Sequence, residues 1–220
     1  MSDRAFPYYP LSLDISGKRC LVVGGGPVAC RKVKALLECG SSVVVVSPEV
    51  CPEMRDMVDE ETVSLALREY RAEDLDGALV VIAATDDAEV NRRVAADARD
   101  LRLLVNVVDD MEVSSFIAPS YLRRGDLTIA VSTEGRSPAL ARRIREKLEA
   151  EIGDEYGHLV ALLGQLREEF KERGVRVPAD VWHEALALEP LVALLRQGHE
   201  DEAKALLIER LGVAARLDRG

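Results

Sequence analysis

Apolar and polar positions along this chain follow two patterns. In the first half, short apolar runs alternate with longer mixed segments. Cys20-Leu-Val-Val23, Val43-Val-Val-Val46, Leu79-Val-Val-Ile-Ala-Ala84 and Leu103-Leu-Val-Asn-Val-Val108 are near-continuous, as expected of parallel strands buried on both faces. Strands are predicted at about 19–23, 43–46, 79–84 and 103–108, with a fifth over the alternating stretch Val63 to Tyr70. Between them helices are predicted over 27–39, stopping at Gly40, and over 52–59. A third follows Thr85-Asp86-Asp87, with Val90, Val94 and Ala98 on one face. Residues 1–18, with Phe6, Pro7, Tyr8, Tyr9 and Pro10, read as an extended arm closing on a turn at Ser16-Gly17. Strands alternating with helices imply an open, mostly parallel α/β sheet.

After Asp110 the pattern changes. Ser114 to Pro119 reads as a crossing segment and Leu127 to Val131 as a strand. Ser137-Pro138 opens a helix running to about Ile152, with an N-cap serine and proline at the first helical position. Beyond it helices are predicted at 154–173, 179–187, 190–197 and 200–211, and Leu159, Leu162, Leu163, Leu166 and Phe170 form one apolar stripe. The expected organisation is a sheet domain over 1–113, a small α+β region over 114–152 and a helical domain over 153–220.

Composition bounds the function. The 220 residues are 48% hydrophobic, enough for a sizeable core, and the net charge of −10 argues against nucleic acid or an anionic membrane as partner. Residues 116–147 depart from this, with seven basic and three acidic side chains. Such an island fits either a local anionic ligand or a solvated helix face. Cysteines at 20, 30, 39 and 51 make no C-x-x-C pair, and the histidines are distant in sequence. A zinc site is therefore not expected. With no signal peptide and no apolar run of membrane-spanning length, a reduced cytoplasmic protein is expected.

The chemistry begins where the first strand ends. Gly24, Gly26 and Ala29 fit G-x-G-x-x-A between an apolar strand and a helix. In that context glycines let backbone N–H groups approach a pyrophosphate at a helix N-terminus. This predicts a Rossmann-like dinucleotide site. Ligands of open α/β sheets bind beyond the carboxyl ends of the strands. The loops Gly24-Gly25-Gly26-Pro27-Val28, Ser47-Pro48-Glu49, Thr85-Asp86-Asp87 and Asp109-Asp110 are thus expected to converge on one crevice. At the end of the second strand, where an acid usually bonds the ribose, stands Ser47, with Glu49 two residues on. No Arg or Lys lies between 47 and 54 to receive a 2′-phosphate, so NAD is favoured over NADP.

Asp109 is the candidate for proton chemistry. It follows a strand at the ligand end of the sheet, where desolvation would favour its protonated form, and it could take a proton while the cofactor takes a hydride. Ending a strand or capping a turn is the alternative role. The hydroxyl-rich turn Ser132-Thr133-Glu134-Gly135-Arg136-Ser137 lies inside the basic island. It is a candidate anion site, though turn and capping chemistry also explain Gly135 and Ser137.

Taken together these segments resemble the precorrin-2 dehydrogenase / sirohydrochlorin ferrochelatase family, the dehydrogenase module of siroheme synthases. The matching pieces are Tyr9-Pro10-Leu11, Val22 to Ala29, Arg31-Lys32, Ala83 to Asp86, Asn91, Asn106-Val-Val-Asp109, Ser115 to Pro119, Ser132 to Pro138 and Ala141-Arg142 to Leu148. The resemblance implies NAD-dependent oxidation of precorrin-2, an anionic tetrapyrrole, to sirohydrochlorin, with insertion of Fe²⁺ as a further activity of some members. It implies a homodimer formed through the central region. It makes Asp109 the essential aspartate, sets Pro27-Val28 and Pro48-Glu49 at the cofactor and puts Thr133 on the substrate-pocket turn; Thr85, just past a strand end, is a further cofactor candidate, and Asn106, Ser132, Arg136 and Ser137 are the other substrate candidates. Many relatives have serine where this chain has Thr133. A nucleotide-sensing Rossmann module without catalysis is the competing reading. Such a module usually carries the acid that Ser47 replaces.

Overall fold

In the computed structural model, residues 7–58 and 62–212 are described; the start of the predicted arm, including Phe6, and the predicted helix end at Asp59 lie outside them. Five parallel strands form the first sheet: β1 (Arg19–Val23), β2 (Ser42–Val46), β3 (Val63–Ala66), β4 (Ala78–Ala83) and β5 (Leu104–Val107). Their order is β3-β2-β1-β4-β5. Val22 pairs with Val45 on one side and Ile82 on the other. The chain therefore reverses its direction of winding between β1 and β4, and a crevice opens there at the carboxyl ends.

Helices α1 (Pro27–Leu37), α2 (Pro52–Val58) and α3 (Ala88–Asp100) cover the sheet. The apolar runs explain its burial. Cys20, Val22, Val43 and Val45 pack with Val33 and Met54 on one face, while Leu21, Val23, Val81 and Val105 pack with Val94 and Ala98 on the other. Asp87 caps α3, accepting hydrogen bonds from the N–H groups of Glu89 and Val90, a contact worth about 1 kcal/mol.

Two differences from the sequence expectation concern the sheet. The predicted strand 63–70 stops at Ala66. Arg68 turns away to a paired hydrogen bond with Asp74, within a 3-10 turn (Ala72–Leu75). Leu67 is left exposed, and Tyr70 is buried with its hydroxyl 3.0 Å from Asp97 Oδ2. The free edge of β5 is covered by the crossing segment. Ser115 Oγ accepts from Val105 N–H at 2.8 Å and Ser114 Oγ from Val107 N–H at 2.9 Å, so two serine hydroxyls take the place of a sixth strand.

The chain folds as two compact units, Met1–Ala118 with Glu134–Arg136, and Pro119–Thr133 with Ser137–Gly220. The second unit begins with an antiparallel hairpin, β6 (Ser120–Arg124) and β7 (Leu127–Val131). Of these two strands the apolar pattern predicts only β7. Helix α4 (Pro138–Glu151) follows, then α5 (Asp154–Glu172), α6 (Ala179–Ala185), α7 (Leu188–Arg196) and α8 (Glu200–Arg210). The predicted apolar stripe is their core: Leu159, Leu162, Leu166 and Phe170 pack with Leu191, Leu195 and Leu207. Buried Glu155 is bonded by Arg196, whose guanidinium holds the carboxyl below its usual range. No helix among the described residues is long and apolar enough to cross a membrane.

Candidate active site

At the carboxyl ends of β1, β2, β3 and β4 lies a cavity of about 750 Å³. Three of the four predicted loops line it: Gly24 to Val28, Ser47 to Cys51, and Ala84 to Asp87. Its inner wall is the glycine turn. Gly24 has φ +126, and a Cβ there would lie 2.3 Å from the Ala84 carbonyl oxygen. A Cβ on Gly25 would lie 2.0 Å from the Glu49 carbonyl oxygen. These two glycines thus let the β1–α1 turn touch both neighbouring loops. Cys51 N–H donates to Gly25 O at 2.8 Å and Gly24 N–H to Val46 O at 3.0 Å.

Gly26 differs. It is the N-cap of α1, and a Cβ there would meet nothing within 4 Å. No side chain caps the helix, so its first-turn N–H groups remain for an anion in the cavity. Gly26→Ala should therefore fold, losing only the few degrees of melting temperature that a poorer N-cap costs. Its methyl would occupy the space a pyrophosphate needs, and dinucleotide affinity should fall at least about tenfold, a loss of roughly 1.4 kcal/mol. Calorimetric titration beside a thermal melt checks both halves of this expectation.

The other walls are fixed by short polar links. Ser47 Oγ donates to the Glu49 carbonyl at 2.6 Å, which shapes the β2–α2 loop. Thr85 N–H and hydroxyl both reach Asn91 Oδ1, at 3.2 and 2.8 Å, and Asn91 Nδ2 returns to Thr85 O at 2.9 Å. Buried Asn91 thus locks the β4–α3 turn. Glu69, Tyr70, Val90 and Arg93 also line the cavity and are not among the predicted site residues. Val90 and Arg93 are one turn apart on α3, and that spacing was the available signal.

The fourth loop does not line this cavity. Asp109 stands just past β5 in a left-handed turn, φ +62. The turn is tied by a bridge between Val107 and Asp110 and by Ser114 Oγ donating to Asp110 O at 2.6 Å. Asp109 is exposed, not desolvated as its strand-end position suggested. Half-buried Lys32 on α1 feels its charge: burial and Arg31 push the Lys32 ammonium down, and Asp109 opposes them. Asn106 is buried, its Nδ2 donating to Phe116 O at 3.1 Å, so it also anchors the crossing segment.

The remaining predicted residues lie on the 132–137 turn. Thr133 Oγ1 accepts from Ser137 N–H at 3.1 Å, and Ser137 Oγ caps α4 through Leu140 N–H at 3.3 Å. Ser132 and Arg136 are exposed. Glu134, φ +53, accepts from Tyr8 N–H at 2.9 Å, and a Cβ on Gly135 would strike the Met111 sulfur. Much of the basic island is paired locally. Arg142 and Arg143 meet Glu146, Arg145 meets Glu149, and Arg124 meets Asp154 at 3.3 Å.

A five-stranded parallel sheet with an uncapped helix over a glycine turn at its switch point defines a Rossmann-type dinucleotide-binding protein. Comparison with known proteins narrows the class. A family model described as NAD(P)-binding matches residues 11–120, and one described as "Sirohaem biosynthesis protein central" matches 124–151. The siroheme synthase of Chromobacterium violaceum is 42% identical over 205 residues, covering 93% of this chain and 44% of that protein. That of Thioalkalivibrio sulfidiphilus is 38% identical over 206 residues, covering 93% and 42%. Among solved structures, SirC, a precorrin-2 dehydrogenase, matches with a TM-score of 0.67 and 26% identity, over 97% of this chain and 100% of that one. The chain belongs to the precorrin-2 dehydrogenase / siroheme synthase family. It spans less than half the length of these curated relatives.

Proposed function

We propose that this chain oxidises precorrin-2 to sirohydrochlorin, passing a hydride to NAD and releasing a proton. The observation that carries this is the cavity at the β1–β4 switch point, joined to full-length similarity to a precorrin-2 dehydrogenase structure. The pyrophosphate would lie against Gly24, Gly25 and Gly26, with Pro27 and Val28 opening the helix behind it. Ser47, Pro48 and Glu49 would border the adenosine ribose, and Thr85 the nicotinamide side. NAD, when bound, supplies the hydride acceptor.

Asp109 is the base in this proposal. Being exposed, it can accept a proton as a carboxylate and release it to water. Asn106, Ser132, Thr133, Arg136 and Ser137 are the proposed substrate contacts. Exposed Arg136 and the hydroxyls offer hydrogen bonds to the carboxylates of a tetrapyrrole. We also propose that two copies pair through the β6–β7 hairpin and α4, where Leu140 and Ile144 are 52% and 39% exposed one turn apart. Light scattering should then give twice the chain mass, and Leu140→Glu should give one. Cys20, Cys30, Cys39 and Cys51, none of them in a disulfide, fit a reducing, cytoplasmic setting.

The cofactor assignment is tested by supplying NAD or NADP at equal concentration to the protein with precorrin-2 under anaerobic conditions. Four carboxylates line the cavity, from Glu49, Glu69, Asp86 and Asp87, against one cation, Arg93, and with that net negative lining the extra phosphate should be disfavoured and NAD should turn over more efficiently than NADP. Equal turnover with NADP would overturn the assignment. Adding Fe²⁺ as a substrate to the same mixture tests metal insertion as a second activity.

A further inference from the structure

We infer that Arg93 grips the adenosine end of the dinucleotide and is the residue on which affinity for that half depends. The inference rests on the dinucleotide reading of the cavity. Two anionic phosphates must enter a space lined by four carboxylates. Among the described lining residues Arg93 is the one cation. The α1 N-terminus offers only partial charge, and it serves the pyrophosphate. At the end of β2 the Ser47 hydroxyl is already committed to Glu49 O, and the Glu49 carboxylate can bond the ribose but gives the adenine ring nothing to stack on. The adenosine half therefore needs another anchor.

Arg93 is placed to be that anchor. It lies on α3, one turn past Val90. Its guanidinium reaches Tyr70, beyond the end of β3, which is the adenosine side of a sheet in this order. Arg93 Nη2 donates to Tyr70 O at 3.1 Å, and its Cζ lies 5.4 Å from the Tyr70 ring centroid. Tyr70 is itself fixed by burial and by its bond to Asp97, one turn beyond Arg93 on the same helix. The guanidinium is thus held in place by a carbonyl and a ring, and little side-chain freedom remains to be lost on binding. A planar cation at the cavity wall can stack on an adenine ring and bond its edge, as a lysine ammonium cannot.

The test is calorimetric titration of the full chain with NAD, ADP-ribose and nicotinamide mononucleotide. The proteins are the wild type, Arg93→Ala, Arg93→Lys, Arg93→Gln and, as a control, Arg92→Ala, the neighbouring exposed arginine that does not line the cavity. Arg93 is exposed in the free protein, so in Arg93→Ala the affinity for NAD and ADP-ribose should fall about three- to tenfold, the worth of an exposed cation–π contact with one hydrogen bond. The mononucleotide should bind as before. Arg93→Lys should recover only part of the loss, and Arg92→Ala should match the wild type. Thermal melts report folding, and the Lys and Gln variants carry the comparison if the Ala variant unfolds. ADP-ribose binding within twofold of wild type in folded Arg93 variants would overturn the inference alone. Failure of the wild type to bind NAD or ADP-ribose would overturn the dinucleotide reading and the inference with it.

Discussion

Asp109→Asn should lower the rate of precorrin-2 oxidation by about 10²–10⁴-fold, the usual worth of a general base, while NAD affinity stays within about twofold. Asparagine is the informative replacement because of the backbone. Asp109 sits at φ +62, a region that Asn and Asp enter more readily than other non-glycine residues. The turn should therefore keep its Val107–Asp110 bridge and its Ser114 bond. Asp109 does not line the dinucleotide cavity, so loss of its charge should not reach the cofactor. Calorimetry with NAD and an anaerobic rate assay separate the two effects. Full activity in Asp109→Asn would remove the aspartate from the mechanism. Asp109→Ala would be less clean, since an alanine at this φ adds strain of about 1 kcal/mol or more.

Gly24→Ala should damage the fold itself. The residue has φ +126, and the added methyl carbon would lie 2.3 Å from the Ala84 carbonyl oxygen, a backbone atom. Two costs add: a conformation nearly closed to L-residues, and overpacking between β1 and β4. Together they amount to about 2–6 kcal/mol. For a chain of this size that lowers the melting temperature by more than about 5 °C. Dinucleotide binding should vanish with it. Gly26→Ala, two positions on, should weaken binding at least about tenfold at a smaller cost in melting temperature. Two nearby glycines would then separate architecture from ligand approach. Equal melting temperatures for Gly24→Ala and wild type would contradict the close packing of the turn on Ala84.

The residues that announced themselves in sequence did so through uninterrupted burial. β1, β2 and β4 end in apolar runs that face both layers, β5 departs from this only at Asn106, and the glycine turn follows the first of them. Elements whose burial is partial were harder to see. In β6 only Leu122 is fully buried, and Arg123 and Arg124 give its end a polar character. It exists because Gly125-Asp126 folds it back on β7. The alternation through Tyr70 has the period of a strand, which made β3 look longer than it is. Tyr70 is buried, but beneath Arg93 and beside Asp97 rather than in the sheet.

The site divides in the same way. Three of the four strand-end loops meet at the cavity because topology alone puts them there. Arg93 gives a weaker signal, its one-turn spacing from Val90 on α3, and it meets Tyr70 only in three dimensions. The sequence rule for a cofactor-binding cation looks only to the β2 loop. The basic island stood out as charge, but its arginines on α4 sit three or four residues from Glu146 and Glu149 and pair with them. The spacing of those pairs was legible in the sequence and identifies a solvated helix face. It leaves Arg136 and the hydroxyls of the 132–137 turn as the part of the island that the proposed function uses.

The central claim is hydride transfer from precorrin-2 to a bound nicotinamide. A single-turnover experiment tests it most directly: protein in excess over precorrin-2, saturating NAD, no oxygen, with NADH and the tetrapyrrole spectrum recorded together. One NADH should appear for each sirohydrochlorin formed, with the same time course. Bound NAD with no NADH and an unchanged tetrapyrrole spectrum would contradict the claim.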